Sequence, residues 1–80
     1  MKITSWNVNG IRSVFQKNFI KSIKKLNPDL LLIQEIKARP EQIPQEILSL
    51  FPYVQIHSAE RPGYSGTLTL SKVPGQRLTF

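Results

Sequence analysis

The spacing of apolar residues along the chain predicts six secondary-structure elements, beginning with a strand and a helix. Residues 2–8, KITSWNV, are rich in β-branched and aromatic side chains and lead into asparagine and glycine, which predicts a strand followed by a turn. Residues 15–26 carry apolar side chains at helical spacing on one face and lysines on the other. Asn27 and Pro28 are expected to end this helix. Its predicted apolar face consists of Phe15, Phe19, Ile23 and Leu26.

The remaining elements complete an α/β pattern. Residues 30–33, LLLI, are apolar without alternation, which favours a strand covered on both faces, as in a parallel sheet. Residues 44–51 predict a short helix with Pro44 in its first turn. Residues 53–57 and 66–72 alternate as strands do, on either side of a turn-rich loop. The order is β-α-β-α-β-β, and its first three elements predict a right-handed βαβ unit.

Three polar residues, Asn7, Asn9 and Glu35, are predicted to lie at the carboxyl ends of the first two strands. Open α/β sheets bind their ligands at this edge. One carboxylate with amide oxygens suits Mg²⁺ or Mn²⁺, because Mg²⁺ commonly takes one or two carboxylates and keeps several waters. Asp29, the one aspartate, begins the strand that Glu35 follows and is expected at the opposite edge. Each residue also has an ordinary interpretation, since asparagine–glycine segments form turns and strand-end glutamates are solvated.

Charge and composition favour a small basic domain. The chain has 80 residues, with 11 lysines and arginines against five acidic residues, for a net charge of +6. This indicates either an anionic partner, with nucleic acid as the first candidate, or a basic protein without one. The absence of cysteine excludes disulfides and thiolate metal sites. With no signal-peptide pattern and no long apolar run, the expected location is cytoplasmic, nucleoid-associated in a bacterium.

Three segments of the chain, KITSWNVNGIRS, PDLLLIQEIKA and RPGYSGTLTLSK, resemble in order the first motif blocks of exonuclease III-type AP endonucleases. These enzymes belong to the larger endonuclease/exonuclease/phosphatase superfamily. The resemblance implies the N-terminal portion of a four-layer α/β sandwich, incomplete in these residues. It also implies Mg²⁺- or Mn²⁺-dependent hydrolysis of DNA phosphodiesters in base-excision repair, on duplex DNA with abasic sites. A retrotransposon-type endonuclease is a near relative by the same motifs.

The resemblance also implies roles for individual residues. Asn7 would be an active-site asparagine, Glu35 would bind the metal, and Asn9 would help to organise the metal site and its waters. The implied metal-binding set is Glu35, Asn9 and Asn7. The implied DNA contacts are Arg12, Lys37, Tyr64, Gly63 and Gly66. Ile36 departs from the family pattern, which usually has threonine here, and an isoleucine side chain offers Glu35 no hydrogen bond.

The later motifs of the family have no counterpart in this sequence. They comprise an active-site tyrosine, an aspartate–asparagine pair and an aspartate–histidine pair, and His57 precedes the region where they would begin. The 80 residues alone are therefore expected to be inactive, with an exposed sheet edge that favours association. Two alternatives stay open: a non-catalytic basic module that binds DNA phosphates, and a small α/β interaction domain without an active site.

Overall fold

The computed structural model describes residues 1–58 and 66–74 as one sheet with helices packed on one of its faces. The strands are β1 (Ile3–Asn7), β2 (Leu30–Gln34), β3 (Tyr53–Ser58) and β4 (Gly66–Ser71). The α-helices are α1 (Ile11–Phe15), α2 (Phe19–Leu26) and α3 (Gln45–Leu48), and a 3₁₀ helix spans Pro40–Gln42. The predicted mixed α/β fold is confirmed: the helix predicted for residues 15–26 is present as α2 from Phe19, whereas α1 and the 3₁₀ helix were not predicted.

The strand order in the described part of the chain is β1-β2-β4-β3. β1 and β2 are parallel, with Ile3 opposite Leu30 and Asn7 opposite Gln34. β4 lies between β2 and β3 and is antiparallel to both. The parallel sheet predicted from the LLLI run is therefore wrong for one side of β2. Because β4 runs the opposite way, its first residue, Gly66, lies at the edge where β1 and β2 end.

The described helices pack on one face of the sheet, and the opposite face carries both exposed side chains and the buried Leu30, which is 3% exposed. Alternate residues of β2 and β4 join the helices in the core, and Trp6 of β1 packs against Phe19 of α2 with ring centroids 5.0 Å apart. The side chains that are fully or almost fully buried in this core include Ile11, Phe19, Ile23, Leu31, Ile33, Ile47, Leu68 and Leu70. On the opposite face, Ile3 is 57% exposed and Tyr53 is 41% exposed. The described residues thus form one helical layer and one sheet layer.

The single helix predicted for residues 15–26 is interrupted at Gln16–Asn18. Asn18 adopts a left-handed backbone conformation with φ 66°, which stops α1 from continuing into α2. The predicted apolar face survives the break, since Phe19 and Ile23 are buried, but Leu26 is 39% exposed. Asn27 ends α2 in a left-handed conformation, and its N–H donates to the Ile23 carbonyl at 2.8 Å.

The second predicted helix, residues 44–51, is also shorter in the structure. Pro44 is the residue before α3 and is not helical, with φ −55° and ψ 129°. The helix ends after Leu48, and Ile47 anchors it in the core. Among residues 1–58 and 66–74, no helix is long and apolar enough to cross a membrane.

Candidate active site

The parallel pairing of β1 and β2 continues beyond the ends of both strands, as backbone hydrogen bonds between the two following loops. The N–H of Gly10 donates to the Glu35 carbonyl at 2.8 Å, and the N–H of Ile11 donates to the Ile36 carbonyl at 2.9 Å. Ile36 in turn donates to the Gly66 carbonyl at 3.1 Å. These loops, residues 7–12 and 35–38, are called the site edge below. Three chain segments that are distant in sequence are therefore tied together there.

The backbone of the site edge contains several left-handed residues. Asn9, Glu35 and Lys37 have φ values of 47°, 53° and 50°, and Gly10 has a φ of 104°. This conformation is unfavourable for residues with a Cβ and persists only where the surrounding structure imposes it. Asn18 and Asn27 are also left-handed, which asparagine tolerates, whereas Glu35 and Lys37 are unusual in this conformation and make this edge a candidate functional site.

Asn7 and Glu35 are in direct contact at this edge. The Asn7 Nδ2 donates a hydrogen bond to Glu35 Oε2. The Asn7 Oδ1 accepts from the backbone N–H of Asn9 at 3.1 Å, the usual contact of an asparagine that forms a turn. Both contacts require the same orientation of the Asn7 amide, because the reverse would place its oxygen on the carboxylate. The sequence-based prediction that Asn7 and Glu35 meet at one sheet edge is confirmed.

Two cationic side chains flank this pair. Lys37 Nζ donates to Asn9 Oδ1, and Arg12 Nη2 donates to the Lys37 carbonyl at 3.3 Å. Arg12 is exposed and Lys37 is half-buried. One carboxylate and two cations therefore share the site edge, an arrangement that would attract an anionic ligand to the immediate neighbourhood of Glu35.

The donor set fits a hard divalent cation in part. Glu35 supplies a carboxylate, and its neighbours Asn7 and Asn9 supply oxygens of the kind that Mg²⁺ and Mn²⁺ accept. Both amide oxygens already accept hydrogen bonds within the chain, so Glu35 is the group best placed to meet an ion directly. No cluster of three or more His, Cys, Asp or Glu side chains occurs within residues 1–58 and 66–74.

Of the remaining predicted site residues, the structure describes only Gly66, the first residue of β4. The Gly66 carbonyl accepts a hydrogen bond from the N–H of Ile36, which joins the start of β4 to the site edge. Gly63 and Tyr64 lie outside the described residues. Gln34 was not among the predicted site residues; it is paired with Asn7 in the strand register, and its side chain donates a hydrogen bond to Ser5 Oγ at 2.9 Å. Its position at the polar end of an apolar strand was the available signal.

Asp29 lies at the opposite edge of the sheet, as predicted, and has a structural role. Its Oδ2 accepts from the backbone N–H of Lys2 at 2.7 Å, and its Oδ1 lies 3.9 Å from Lys72 Nζ. The Lys2 hydrogen bond, supported by the nearby charge of Lys72, lowers the pKa of Asp29 below its usual value. This carboxylate therefore ties the chain start to β2 and is not part of the candidate site.

Comparison with known proteins identifies the family. Residues 4–79 match the Endonuclease/Exonuclease/phosphatase family, and the chain belongs to it. The DNA repair nuclease APEX1 of Danio rerio is 36% identical over 83 residues, covering 100% of this chain and 27% of that protein. The DNA-(apurinic or apyrimidinic site) endonuclease of Dictyostelium discoideum is 38% identical over 80 residues, covering 100% of this chain and 22% of that protein.

A solved structure gives the same result for the fold. The AP endonuclease from Archaeoglobus fulgidus matches with a TM-score of 0.75 and 29% identity, over 90% of this chain and 27% of that one. The predicted resemblance to AP endonucleases is thereby confirmed, and the sheet and helices described above are part of their fold. The chain spans about a quarter of the length of these curated relatives.

Proposed function

We propose that this chain supplies part of the active site of a divalent-metal-dependent, exonuclease III-like nuclease that hydrolyses DNA phosphodiesters at abasic sites in base-excision repair. The observation that carries the proposal is the Asn7–Glu35 contact at the carboxyl edge of two parallel strands. The similarity of the chain to proteins named as a DNA repair nuclease and an abasic-site endonuclease supports DNA with abasic sites as the substrate class.

Glu35 is the residue proposed to bind Mg²⁺ or Mn²⁺ directly, with Asn7 and Asn9 completing the site. The Asn7 amide holds one carboxylate oxygen of Glu35 and so restricts the rotation of that side chain. Asn9 takes part through its contacts with Asn7 and Lys37, which keep the two loops together. A divalent ion bound there would neutralise phosphate charge and orient the substrate.

Arg12 and Lys37 are the residues proposed to contact DNA phosphates beside the metal site. Arg12 hydrogen-bonds to the Lys37 backbone, so the two cations are held on one surface next to Glu35. Phosphate contacts of this kind position a nucleic acid without selecting its sequence. Gly63, Tyr64 and Gly66 are proposed to form the neighbouring DNA-contacting loop, by the motif that they share with the family.

Catalysis is not expected from the 80 residues alone. Glu35 is the one carboxylate at the site edge within the described residues, and the adjacent amide oxygens are neutral. Hydrolysis also needs a group that orients the attacking water and donors that stabilise the developing charge, each worth about 10²–10⁴-fold in rate. A chain that lacks these groups should bind metal weakly and cleave nothing measurable.

Metal binding tests the proposal most directly. Mn²⁺ is titrated into the purified chain while the electron paramagnetic resonance signal of free Mn²⁺ is followed. The expected result is weak binding that is lost in Glu35→Gln and retained in Glu46→Gln. Glu46 is a matched control because it is an exposed glutamate in α3, away from the site edge. Equal binding by the two variants would refute the assignment of Glu35.

A non-catalytic DNA-binding module is the second candidate, favoured by the paired cations Arg12 and Lys37 and by the net charge of +6. The two functions can be distinguished by adding the rest of a related nuclease domain to the chain and measuring cleavage of abasic-site DNA. If the chain is part of a nuclease, supplying that remainder as a separate polypeptide should restore abasic-site cleavage in a manner that depends on Glu35. A binding module would gain no cleavage from it.

A further inference from the structure

Ile36 lies between Glu35 and Lys37, two residues of the proposed site, and is more deeply buried than either. Its side chain is fully buried, with 0% exposure, and belongs to the hydrophobic core shared by the sheet and the helices. Glu35 and Lys37 on either side are only half-buried and face the site edge. Both neighbours have left-handed backbones, with φ values of 53° and 50°. The chain therefore sends one side chain inward and the two flanking ones outward.

The backbone of Ile36 is held as firmly as its side chain. Its N–H donates to the Gly66 carbonyl at 3.1 Å, at the start of β4. Its carbonyl accepts from the N–H of Ile11 at 2.9 Å, at the start of α1. Ile11 is itself fully buried in the same core. Ile36 thus joins the loop after β1, the loop after β2 and the beginning of β4.

Left-handed residues with side chains revert to ordinary conformations unless packing or hydrogen bonds forbid it. Glu35 has a Cβ and therefore does not adopt a positive φ as readily as glycine does. Its side-chain contact with Asn7 is exposed to solvent. The buried anchor nearest to it in sequence is Ile36. Loss of that anchor would free both left-handed residues at once, because each is linked to Ile36 through one peptide bond.

We infer that Ile36 is a positioning residue, which sets the backbone of Glu35 and Lys37 by apolar burial. This inference rests on the proposed metal and phosphate roles of those two residues. Threonine, expected at this position from the family pattern, could act through a hydroxyl, whereas isoleucine acts by filling the core. The prediction is selective: shortening Ile36 disturbs the site edge more than an equal cavity elsewhere in the same core.

The test compares Ile36→Ala with Ile47→Ala. Both remove the same atoms from a side chain with 0% exposure in the same core, but Ile47 lies in α3, and its backbone hydrogen bonds are to Pro44 and Leu50, not to the site-edge loops. Two measurements are made on the full 80-residue chain: Mn²⁺ affinity, and amide hydrogen exchange at Gly10 and Ile11, which donate to Glu35 and Ile36. Ile36→Ala should weaken Mn²⁺ binding about tenfold and abolish the protection of these two amides relative to those of β2.

Ile47→Ala should leave Mn²⁺ affinity and the relative protection of both amides unchanged. Equal effects of the two substitutions, or no effect of Ile36→Ala in a folded chain, would overturn the inference. If Ile36→Ala does not fold, Ile36→Val and Ile47→Val replace the pair, and the same selective loss of protection, smaller in size, is required. If the unaltered chain binds no Mn²⁺, the proposed function fails, and amide exchange alone decides the role of Ile36.

Discussion

The two cations at the site edge lead to a quantitative prediction for DNA binding. Arg12 and Lys37 are held together by a hydrogen bond from the Arg12 guanidinium to the Lys37 carbonyl at 3.3 Å. If each neutralises one phosphate of duplex DNA, each contributes about −0.9 to the slope of log affinity against log salt concentration. Replacing both with alanine should therefore make the slope less negative by about 1.8. Between about 50 and 200 mM salt, two such contacts account for about a twelvefold loss of affinity.

The assay is fluorescence anisotropy of a labelled duplex, titrated with the chain at several salt concentrations. Lys24→Ala/Lys25→Ala is the matched control, since it removes the same charge from the exposed last turn of α2. The control should keep a steeper slope than Arg12→Ala/Lys37→Ala. An identical change of slope in both double variants would mean that net charge, and not the site edge, determines binding. Tight binding that does not depend on salt would refute electrostatic contact altogether.

Three further predictions concern activity and stability. The chain should not cleave a labelled abasic duplex with Mg²⁺ or Mn²⁺, and cleavage that disappears in Glu35→Gln would show this expectation to be wrong. Asp29→Asn should lower the free energy of unfolding at neutral pH in urea titrations. Because the folded-state pKa of Asp29 is lowered, its stabilisation is present above the unfolded-state pKa and disappears as pH falls through the folded-state value. A difference that persists at lower pH would contradict this origin. Asn27→Ala should lower the free energy of unfolding more than Asn27→Gly, because φ is 47° and both variants lose the hydrogen bond from Lys72 Nζ to Asn27 Oδ1, and thermal unfolding would distinguish them.

Much of the fold could be predicted because its signals are local. The strand-like composition of residues 2–8 and the alternation of residues 66–72 identified β1 and β4 to within two residues at each end. The helix α1 was not predicted, and residues 15–18 were wrongly assigned to the next helix because the apolar spacing continues through them and asparagine is compatible with both helical and left-handed backbone. Periodicity reports which face is buried, and it does not report whether the helix axis is continuous.

The candidate site was predictable in its members but not in its contacts. Asn7 and Glu35 could be placed at one edge because parallel strands end on the same side of a sheet. The orientation of the Asn7 amide, the contact between Lys37 and Asn9, and the burial of Ile36 depend on loops that meet only after folding. The resemblance to the family supplied the expected roles of Asn7, Asn9, Glu35 and Lys37, while the contacts among them came from the structure alone.

The sequence by itself determined the four strands, most of the buried face of α2 and the residues at the carboxyl ends of β1 and β2, since these follow from backbone and side-chain preferences over a few neighbouring positions. Only the tertiary structure decided that β4 pairs between β2 and β3, that Gly66 reaches the site edge, and that Ile36 is enclosed while its neighbours stay accessible. The physical reason is that strand order and left-handed backbone are settled by long-range packing. That packing selects one conformation from several that the local sequence allows.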